Sequence, residues 1–420
     1  MLIGLQANIL SAFDSCIQTS MAILSINAGS SSLKFSIYPY NHREVLNSVL
    51  KGEFQGLEPG GSPTLQYTSK DQSTHCLLNT ADDDPFTSAL SQLKELISAL
   101  THTPPIKALS HRIVHGASIY QKSVIANDEV LKDLARLNAL APLHQPHNLK
   151  GVQVFMKAFP HLPQVLCFDT AYHSSIPSVE TALALPPSLT EKNIKKYGFH
   201  GLSYQFIIGS LQACSSRAHE RVLMAHLGNG ASLCAAVNGK SMATTMGFST
   251  LDGLMMGTRV GALDPGVMLY LLHKGYTPQK LETLLYCESG LLGVSTVSAD
   301  MRNLRSNHSA LSKKAIDLFT HRVVRESGAM IACMKGLDVI AFSGGIGEHD
   351  HLLRESVCHE LTWLGIELDS SKNQNASPDK AFLISKHSSS VEVWVIPTDE
   401  GKIAAKLAYE LLVNQQVSAQ

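Results

Sequence analysis

The order of apolar and polar residues between positions 22 and 37 predicts two strands joined by a small polar turn. Residues 22–26 form a mostly apolar run, and residues 33–37 alternate between apolar and polar side chains. Such alternation is typical of a strand with one buried face. The turn between them, Asn27 to Ser32, is rich in glycine and serine. Its amides and hydroxyls, with the nearby Lys34 ammonium, suit a phosphate, although an ordinary hairpin turn explains the same pattern.

The same arrangement recurs in the second half of the chain. Val222 to His226 is mainly apolar, Leu227 to Ala231 is a glycine-rich turn, and residues 232–237 form a second apolar run. Asn238-Gly239 then predicts a further hairpin turn. In the segment from Val339 to Glu348, an apolar strand leads through glycines into a helix, which suits an anion or a nucleotide. Hairpin loops in both halves predict a duplicated domain with a cleft between the copies.

Strand-like and helical segments alternate through the rest of the chain. Residues 87–100 and 311–335 carry apolar side chains at helical spacing. Val165 to Phe168 and Trp394 to Ile396 have the composition of buried strands, and each is followed by polar residues. This alternation predicts an α/β architecture. A chain of 420 residues is longer than one hydrophobic core normally serves, so two domains are expected.

Composition indicates a soluble globular protein, with 44% apolar residues, 16% charged residues and a net charge of −1. We expect neither a nucleic-acid nor a membrane partner, because we find no basic run and no apolar stretch long enough to span a bilayer. The eight cysteines form no Cys-x-x-Cys pair. This spacing argues against a zinc site and favours a reducing cytoplasm. Cys167 and Cys333 lie in apolar surroundings and are predicted to be core thiols.

Several charged side chains follow predicted strands, where α/β proteins place ligands. Arg112 and Arg259 offer forked donors to phosphate or carboxylate oxygens, and a surface ion pair is the alternative for each. Asp169 and Glu400 are candidate ligands or orienting groups for Mg²⁺, with a helix N-cap as the alternative.

Two histidines lie in turns rich in proline or glycine, His144 and His200. A histidine in such a turn is a candidate hydrogen-bond donor or proton carrier. Taken alone, each is more often a structural residue than a catalytic one.

In combination these stretches resemble the acetokinase family, which shares the superfold of actin, hexokinase and Hsp70. The resemblance implies an α/β, duplicated ribonuclease H-like fold with two domains and a central cleft. The motifs that carry it are residues 27–34, 110–116, 140–144, 168–171, 197–201, 226–230, 246–248, 253–259 and 344–348. The expected division is an N-terminal extension at 1–20, an N-terminal lobe at 21–169 completed by 398–420, and a nucleotide-binding lobe at 170–397.

The extension lacks a basic n-region, and Asp14 interrupts its apolar stretch, so a cleaved signal peptide is not expected. Met21 directly precedes the first predicted strand. We therefore expect Met21 to be the working start of the protein.

The resemblance implies reversible, Mg²⁺-dependent transfer of a phosphoryl group from ATP to acetate, giving ADP and acetyl phosphate. Mn²⁺ is an alternative metal, and a cytoplasmic homodimer is implied. A carboxylate is already ionised at neutral pH, so the in-line transfer needs no strong general base. What the site must supply is positive charge for the phosphoryl oxygens. We therefore expect Asp169 to orient Arg112 or the metal rather than to donate a proton.

The resemblance also implies a role for each residue that matches the family motifs. Catalytic roles fall to Arg112, His144, Asp169, His200 and Arg259. The acid would be bound by Arg112 in a pocket walled by Val114, Leu143, Phe199 and Thr250. ATP would be bound by Lys34, His226, Leu227, Gly228, Asn229, Gly230, Asp300, Met301, Arg302, Gly345, Ile346, Gly347 and Glu348. The metal would be held by Asn27 and Glu400.

Departures from the family pattern leave the acid open. Thr250 stands where proline is usual, and Asp399 adds a negative charge beside Glu400. A one-methylene difference is worth only about 1–3 kcal/mol in such a pocket. A kinase for propionate or another short-chain acid is therefore the first alternative, although Val114 favours the smaller acid. A non-catalytic ATP-binding regulator on the same fold is the second, but such a protein has no need for the catalytic set.

Overall fold

The computed structural model describes most of the chain, and it divides into two compact units. The first unit takes in the chain up to Ala171 and the segment from Asp399 onward, and the second is Tyr172–Thr398. The extension at 1–20 lies outside the described residues. The nucleotide-binding role expected of the lobe at 170–397 stays a prediction. The described residues are 21–29, 32–58, 61–69, 72–77, 85–99, 103–141, 144–190, 193–377 and 379–418.

Strands and helices alternate in both units. The strands are β1 (Met21–Ala28), β2 (Ser32–Tyr40), β3 (Leu50–Gln55), β4 (Thr64–Ser69), β5 (Gln72–Leu77), β6 (Ile106–Ile113), β7 (Val124–Ile125), β8 (Gln164–Phe168), β9 (Arg221–Leu227), β10 (Ala231–Val237), β11 (Lys240–Thr244), β12 (Val339–Ser343), β13 (Phe382–Leu383) and β14 (Glu392–Val395). The helices are α1 (Pro85–Ala99), α2 (Asp128–Ala135), α3 (Gln145–Ala158), α4 (Ser178–Thr181), α5 (Pro187–Thr190), α6 (Gly201–Cys214), α7 (Pro265–His273), α8 (Pro278–Cys287), α9 (Gly290–Ser295), α10 (Met301–Ser306), α11 (Ala310–Met334), α12 (Gly344–His349), α13 (His351–Glu360), α14 (Ser370–Gln374) and α15 (Glu400–Ser418). Within the described ranges, no helix combines the length and the apolar character that crossing a bilayer requires.

The first unit is built on a sheet with the strand order β5-β4-β3-β2-β1-β6-β8-β7. The predicted alternation in β2 places Leu33, Phe35 and Ile37 in a core that also contains residues of β1 and α1. β1 runs antiparallel to β2 and parallel to β6, which is itself parallel to β8. The carboxyl ends of β1, β6 and β8 therefore meet at one edge of the sheet.

The second unit repeats this arrangement in a sheet with the order β11-β10-β9-β12-β14-β13. β9 runs antiparallel to β10 and parallel to β12, which is parallel to β14. Five strands of the first sheet, β3-β2-β1-β6-β8, thus correspond to β11-β10-β9-β12-β14 of the second. In each set the first three strands are antiparallel in succession, and the last two run parallel to the third. This repetition confirms the predicted duplicated α/β fold.

The two cysteines predicted to be core thiols differ in their surroundings. Cys167 is buried in β8, but the prediction for Cys333 is wrong, because its side chain is exposed. It lies on α11, whose buried stripe includes Phe319, Val323 and Ser327. Cys333 lies on the helix surface beyond the edge of that stripe, so apolar neighbours in sequence did not imply burial.

A nearly buried carboxylate ties the start of β12 to β9. Asp338 accepts hydrogen bonds from Arg221 Nη2 at 2.7 Å, from Arg221 N at 3.0 Å and from Arg217 Nη2 at 2.9 Å. The hydrogen bond from the Arg221 side chain is the main reason that the pKa of Asp338 is lowered to about 2. Because an unfolded aspartate titrates near pH ~4, this interaction stabilises the fold above that pH. The stabilisation is lost as the pH falls toward 2.

We predict that Asp338→Asn lowers the free energy of unfolding by roughly 1–3 kcal/mol at neutral pH, because the hydrogen bonds from Arg217 and Arg221 lose their charged acceptor. The difference from the parent protein should shrink as the pH falls below about 4. Urea unfolding at a series of pH values would measure it. Asp317→Asn, which removes the acidic partner of the exposed Lys313 pair, is the matched control. A destabilisation that does not vary with pH would contradict this account.

Candidate active site

An arginine and two carboxylates form a cluster at the carboxyl edge of the first sheet. Arg112 lies on β6, Asp169 directly follows β8, and Glu400 begins α15. Arg112 Nη2 donates to Asp169 Oδ2 at 2.6 Å, and Arg112 Nε donates to both Asp169 oxygens at 3.0 and 3.1 Å. Arg112 Nε also lies 3.6 Å from Glu400 Oε2. The adjacent ends of two parallel strands thus bring together residues that are far apart in sequence.

This cluster keeps its arginine charged and holds it in place. The side chain of Asp169 is 1% exposed, whereas that of Arg112 is 23% exposed. Burial opposes the charge of Arg112, but the carboxylates of Asp169 and Glu400 raise the pKa of its guanidinium above the ordinary value. Burial raises the pKa of Asp169, and the guanidinium opposes that shift. Such a forked contact fixes the plane of the guanidinium as well as its position.

Two buried amides on α3 hold the strand ends around this cluster. Asn148 Oδ1 accepts from Val114 N at 3.0 Å, and its Nδ2 donates to Ala28 O at 2.6 Å. Gln145 contacts both backbone groups of His115, accepting from N at 3.2 Å and donating to O at 2.9 Å. One helix therefore connects the end of β1 to the end of β6. Sequence reasoning missed Asn148. The available signal was an amide side chain in a polar segment near the start of a helix.

The proposed metal ligands also lie at this edge. Asn27 is the penultimate residue of β1, and its amide oxygen and the Glu400 carboxylate are hard donors of the type that Mg²⁺ takes. No cage of three or more His, Cys, Asp or Glu occurs in the described ranges. Mg²⁺ commonly uses one or two protein oxygens with waters and substrate phosphates, so this partial set fits. Asp399 accepts from Tyr38 Oη at 2.6 Å and from Lys51 Nζ at 2.8 Å, which compensates its charge.

Two neighbouring histidines, with rings tilted by 32° to each other, lie at the carboxyl edge of the second sheet. His200 precedes α6 in the left-handed region, with φ of 59°, and its ring centroid is 4.4 Å from that of His226 at the end of β9. Each ring contacts a serine hydroxyl through Nδ1. The distance is 2.8 Å from His200 to Ser232 Oγ and 2.7 Å from His226 to Ser203 Oγ. Each imidazole is therefore held in place through the same ring nitrogen, Nδ1.

His200 Nε2 and Arg259 Nη1 both lie close to Gly230, in the turn between β9 and β10. A Cβ placed on Gly230 would lie 3.3 Å from His200 Nε2 and 3.8 Å from Arg259 Nη1. Arg259 Nη1 also donates to the backbone oxygen of Thr250 at 3.2 Å. Because glycine has no Cβ, both side chains can lie this close to the turn. A histidine nitrogen and an arginine nitrogen therefore converge on the same turn.

A cavity of ≈ 1070 Å³ lies within the second unit, near the same turn. It is large enough for a nucleotide, and pockets of this size commonly hold cofactors. Asp300 and Arg302, which pair with each other through a 2.6 Å contact, lie on one side of it. The predicted ATP residues that line it are Gly228, Asn229, Asp300, Met301, Arg302, Gly345 and Ile346.

Glu348 supports the glycine loop of this cavity. Its carboxylate accepts from Gly344 N at 2.9 Å and from Thr398 N at 3.0 Å. Arg354 is almost fully buried and donates to the backbone oxygens of Gly347 at 2.9 Å and Glu348 at 2.8 Å. These two charged side chains fix α12 at both ends. Sequence reasoning missed Arg354, since an arginine in a polar helix usually indicates an exposed face.

The other predicted residues are placed as follows. Lys34 is exposed on β2, with its Nζ 3.7 Å from Glu53 Oε1. Phe199 and Leu227 are buried, the first directly before His200 and the second at the end of β9. His144 directly precedes α3. Leu143 lies outside the described residues.

Comparisons with known proteins agree with this architecture. The model of the Acetokinase family matches residues 22–406. The chain is 43% identical over 396 residues to the acetate kinase of Rhodopseudomonas palustris, covering 93% of this chain and 98% of that protein. It is 40% identical over 392 residues to the acetate kinase of Rickettsia typhi, covering 93% and 99%.

Two solved structures share the fold. A propionate kinase from Francisella tularensis superposes with a TM-score of 0.84 at 33% identity, covering 92% of this chain and 98% of that one. The Porphyromonas gingivalis acetate kinase superposes with a TM-score of 0.83 at 32% identity, covering 93% and 100%. The match extends over nearly the whole chain in sequence and in structure. The chain therefore belongs to the acetokinase family.

Proposed function

We propose that this protein transfers the terminal phosphoryl group of ATP to acetate, reversibly, giving ADP and acetyl phosphate. The observation that carries the proposal is the convergence of His200 Nε2 and Arg259 Nη1 on Gly230, in the turn between β9 and β10. Gly230 adjoins the turn residues Gly228 and Asn229 that line the large cavity. A phosphoryl group at the end of a nucleotide in that cavity would meet both donors.

The first unit supplies the groups that suit a carboxylate substrate. Arg112 uses Nε and Nη2 to contact Asp169. Within the described part of the chain, its Nη1 makes no hydrogen bond, so this nitrogen is suited to binding a second carboxylate. Val114, buried beside it, would limit the size of the acid. We propose that acetate binds here through its carboxylate, with Asp169 holding the guanidinium in position.

The chemistry then requires charge stabilisation rather than proton transfer. A carboxylate oxygen of acetate attacks the phosphorus, the bond from phosphorus to the ADP oxygen breaks, and the electron pair leaves on ADP. Charge spreads over the phosphoryl oxygens in a loose transition state. We propose that His200 and Arg259 donate hydrogen bonds to those oxygens. Mg²⁺, or Mn²⁺ in its place, would be held by Asn27 and Glu400 and would supply further positive charge when bound.

The direct test is formation of acyl phosphate from ATP, trapped as the hydroxamate, with acetate and with propionate. We predict that kcat/KM is about 10–100-fold higher for acetate, because one methylene is worth about 1–3 kcal/mol in a small pocket. A ratio reversed in favour of propionate would support the alternative, a propionate kinase like the Francisella tularensis relative. ATP binding without acyl phosphate from either acid would contradict both and favour a non-catalytic regulator.

We predict that Asp169→Asn lowers kcat/KM for acetate by roughly 100-fold, because Arg112 loses the carboxylate that orients it. The KM for ATP should change much less. Asp133→Asn, which removes the partner of the exposed Arg136, is the matched control. Steady-state kinetics with each substrate varied in turn would separate the two effects. A near-native rate with acetate would remove Asp169 from the proposed catalytic set.

We further propose that the protein is a homodimer in the cytoplasm and that α7 lies in the interface. None of the residues of α7 is buried, and it exposes Val267, Leu269, Tyr270 and Leu272, which are between 40% and 59% accessible. A short helix that exposes apolar side chains on more than one side marks an interaction surface. A two-fold dimer is the commonest way for one patch to cover itself. The free cysteines among the described residues suit a reducing compartment.

We predict that Leu269→Glu shifts the protein from dimer to monomer, raising the dimer dissociation constant by at least about tenfold, since a charge would be buried in an apolar interface. Sedimentation velocity over a range of concentrations would measure the shift. Leu311→Glu, at an exposed leucine on α11, is the control. A parent protein that remains monomeric at high concentration would contradict the proposed dimer.

A further inference from the structure

A buried hydroxyl chain supports the His200 ring from behind. Ser232 Oγ lies 2.8 Å from His200 Nδ1 and 2.5 Å from Tyr204 Oη. Ser232 lies on β10 and Tyr204 on α6, and both are 0% exposed. The chain therefore runs from the protein core to the imidazole, and water has no direct access to its inner end.

Counting protons determines the direction of this chain. A serine or tyrosine hydroxyl has one proton to donate and lone pairs to accept with. Among the described residues, Tyr204 Oη has Ser232 as its one hydrogen-bond partner. If His200 donated from Nδ1, Ser232 would donate to Tyr204, and the tyrosine proton would be buried without an acceptor. Such a group costs about 1–3 kcal/mol. In the opposite direction, Tyr204 donates to Ser232, and Ser232 donates to His200, so every proton has an acceptor.

We propose that Tyr204 and Ser232 are positioning residues that hold His200 in the neutral tautomer with its proton on Nε2. The proposal deepens the function proposed above and rests on it for the role of His200. Nε2 is the ring nitrogen that lies near Gly230 and on the side where Arg259 Nη1 also approaches. The tautomer therefore presents a hydrogen-bond donor, rather than a lone pair, to the transferring phosphoryl group. Without the hydroxyl chain, nothing would favour the Nε2 tautomer of His200 over the Nδ1 tautomer.

The backbone beside His200 is held by hydrogen bonds that do not involve the hydroxyl chain. His173, whose ring packs edge-on against the Tyr204 ring at 5.6 Å, contacts the backbone oxygen of Phe199 through Nε2 at 2.8 Å and Ser241 Oγ through Nδ1 at 2.9 Å. Burial lowers the pKa of His173 to about 4, so it stays neutral and donates to that oxygen. Changes at Tyr204 or Ser232 should therefore alter the protonation of His200 without releasing its main chain.

The chain also opposes a second proton on His200. A proton on Nδ1 would meet the Ser232 hydroxyl proton, and reversing Ser232 would leave Tyr204 without its acceptor. The other titratable or charged groups that face this region are His226 and Arg259, while Cys234 and Tyr172 lie near Tyr204. The positive charge of Arg259 also disfavours an imidazolium. His200 should therefore act as a neutral donor over the working pH range.

The tautomer can be measured directly on the unaltered protein. Nitrogen-15 spectra of histidine-labelled protein distinguish a protonated Nε2 from a protonated Nδ1. The His200 signals are identified by their loss in His200→Gln. We expect a protonated Nε2, an unprotonated Nδ1 and no titration between pH 6 and pH 8. A protonated Nδ1 in the unaltered protein would overturn the inference, whatever the protein does with acetate and ATP. This readout does not depend on the proposed function.

The activity test uses Tyr204→Phe, which removes the donor that orients Ser232. We predict that kcat at pH 8 falls by at least about threefold, but by less than the roughly 10²–10³-fold cost of deleting such a donor, because part of the population keeps the correct tautomer. The ratio of parent to variant kcat should return toward one as the pH falls toward 6. Without Tyr204 to orient Ser232, the chain no longer opposes a second proton, so His200 in the variant is protonated more readily than in the parent. An imidazolium carries a proton on both nitrogens, so acid restores the donor on Nε2.

Matched variants separate this effect from a loss of packing. Tyr172→Phe removes a neighbouring tyrosine hydroxyl, which donates to Gly239 O at 3.0 Å, and should show the parent pH profile. Ser232→Thr keeps a hydroxyl and should retain the Nε2 tautomer, whereas Ser232→Ala should lose it. A Tyr204→Phe profile parallel to that of the parent, with an unchanged His200 spectrum, would overturn the proposal.

Discussion

The parallel alignment of three strands beside a hairpin is the constraint on which the candidate site residues of each unit depend. Because the strands run in the same direction, their carboxyl ends meet at the edge where the hairpin turns. In the first unit this brings Arg112 and Asp169 into contact from different strands. In the second it brings the turn after His226 to the edge where Gly344 begins a helix. Neither group of side chains could assemble if the central strands were antiparallel.

The strand ends are held by buried polar side chains that satisfy specific backbone groups. Asn148 connects two strands of the first unit, and Glu348 connects a glycine loop to the segment after β14. Each does so through more than one hydrogen bond, so loss of the side chain would leave several buried groups unpaired. Polar residues therefore position the site, while the apolar core positions the sheets. Ser232 extends this principle to the protonation state of a histidine.

Local features of the fold were predictable from the sequence, and contacts between strands were not. The helices expected at 87–100 and 311–335 are α1 and α11 with small shifts at their ends, because apolar periodicity is a local signal. Arg112 and Asp169 could be named singly, yet their contact follows from the order of strands in the sheet. Tyr204 in an apolar helix resembles an ordinary core residue in sequence. Its proposed role depends on Ser232, which lies on β10.

The departures from the family pattern can now be weighed by what their atoms contact. Thr250 meets Arg259 through its backbone oxygen, which proline would also provide, so this contact does not depend on the side chain. Asp399 is neutralised by Lys51 and accepts from Lys402 N as a cap of α15. Its charge is therefore committed to the fold rather than left beside the proposed metal ligands. Thr250 therefore preserves the contact with Arg259, and Asp399 adds no uncompensated charge beside the proposed metal ligands.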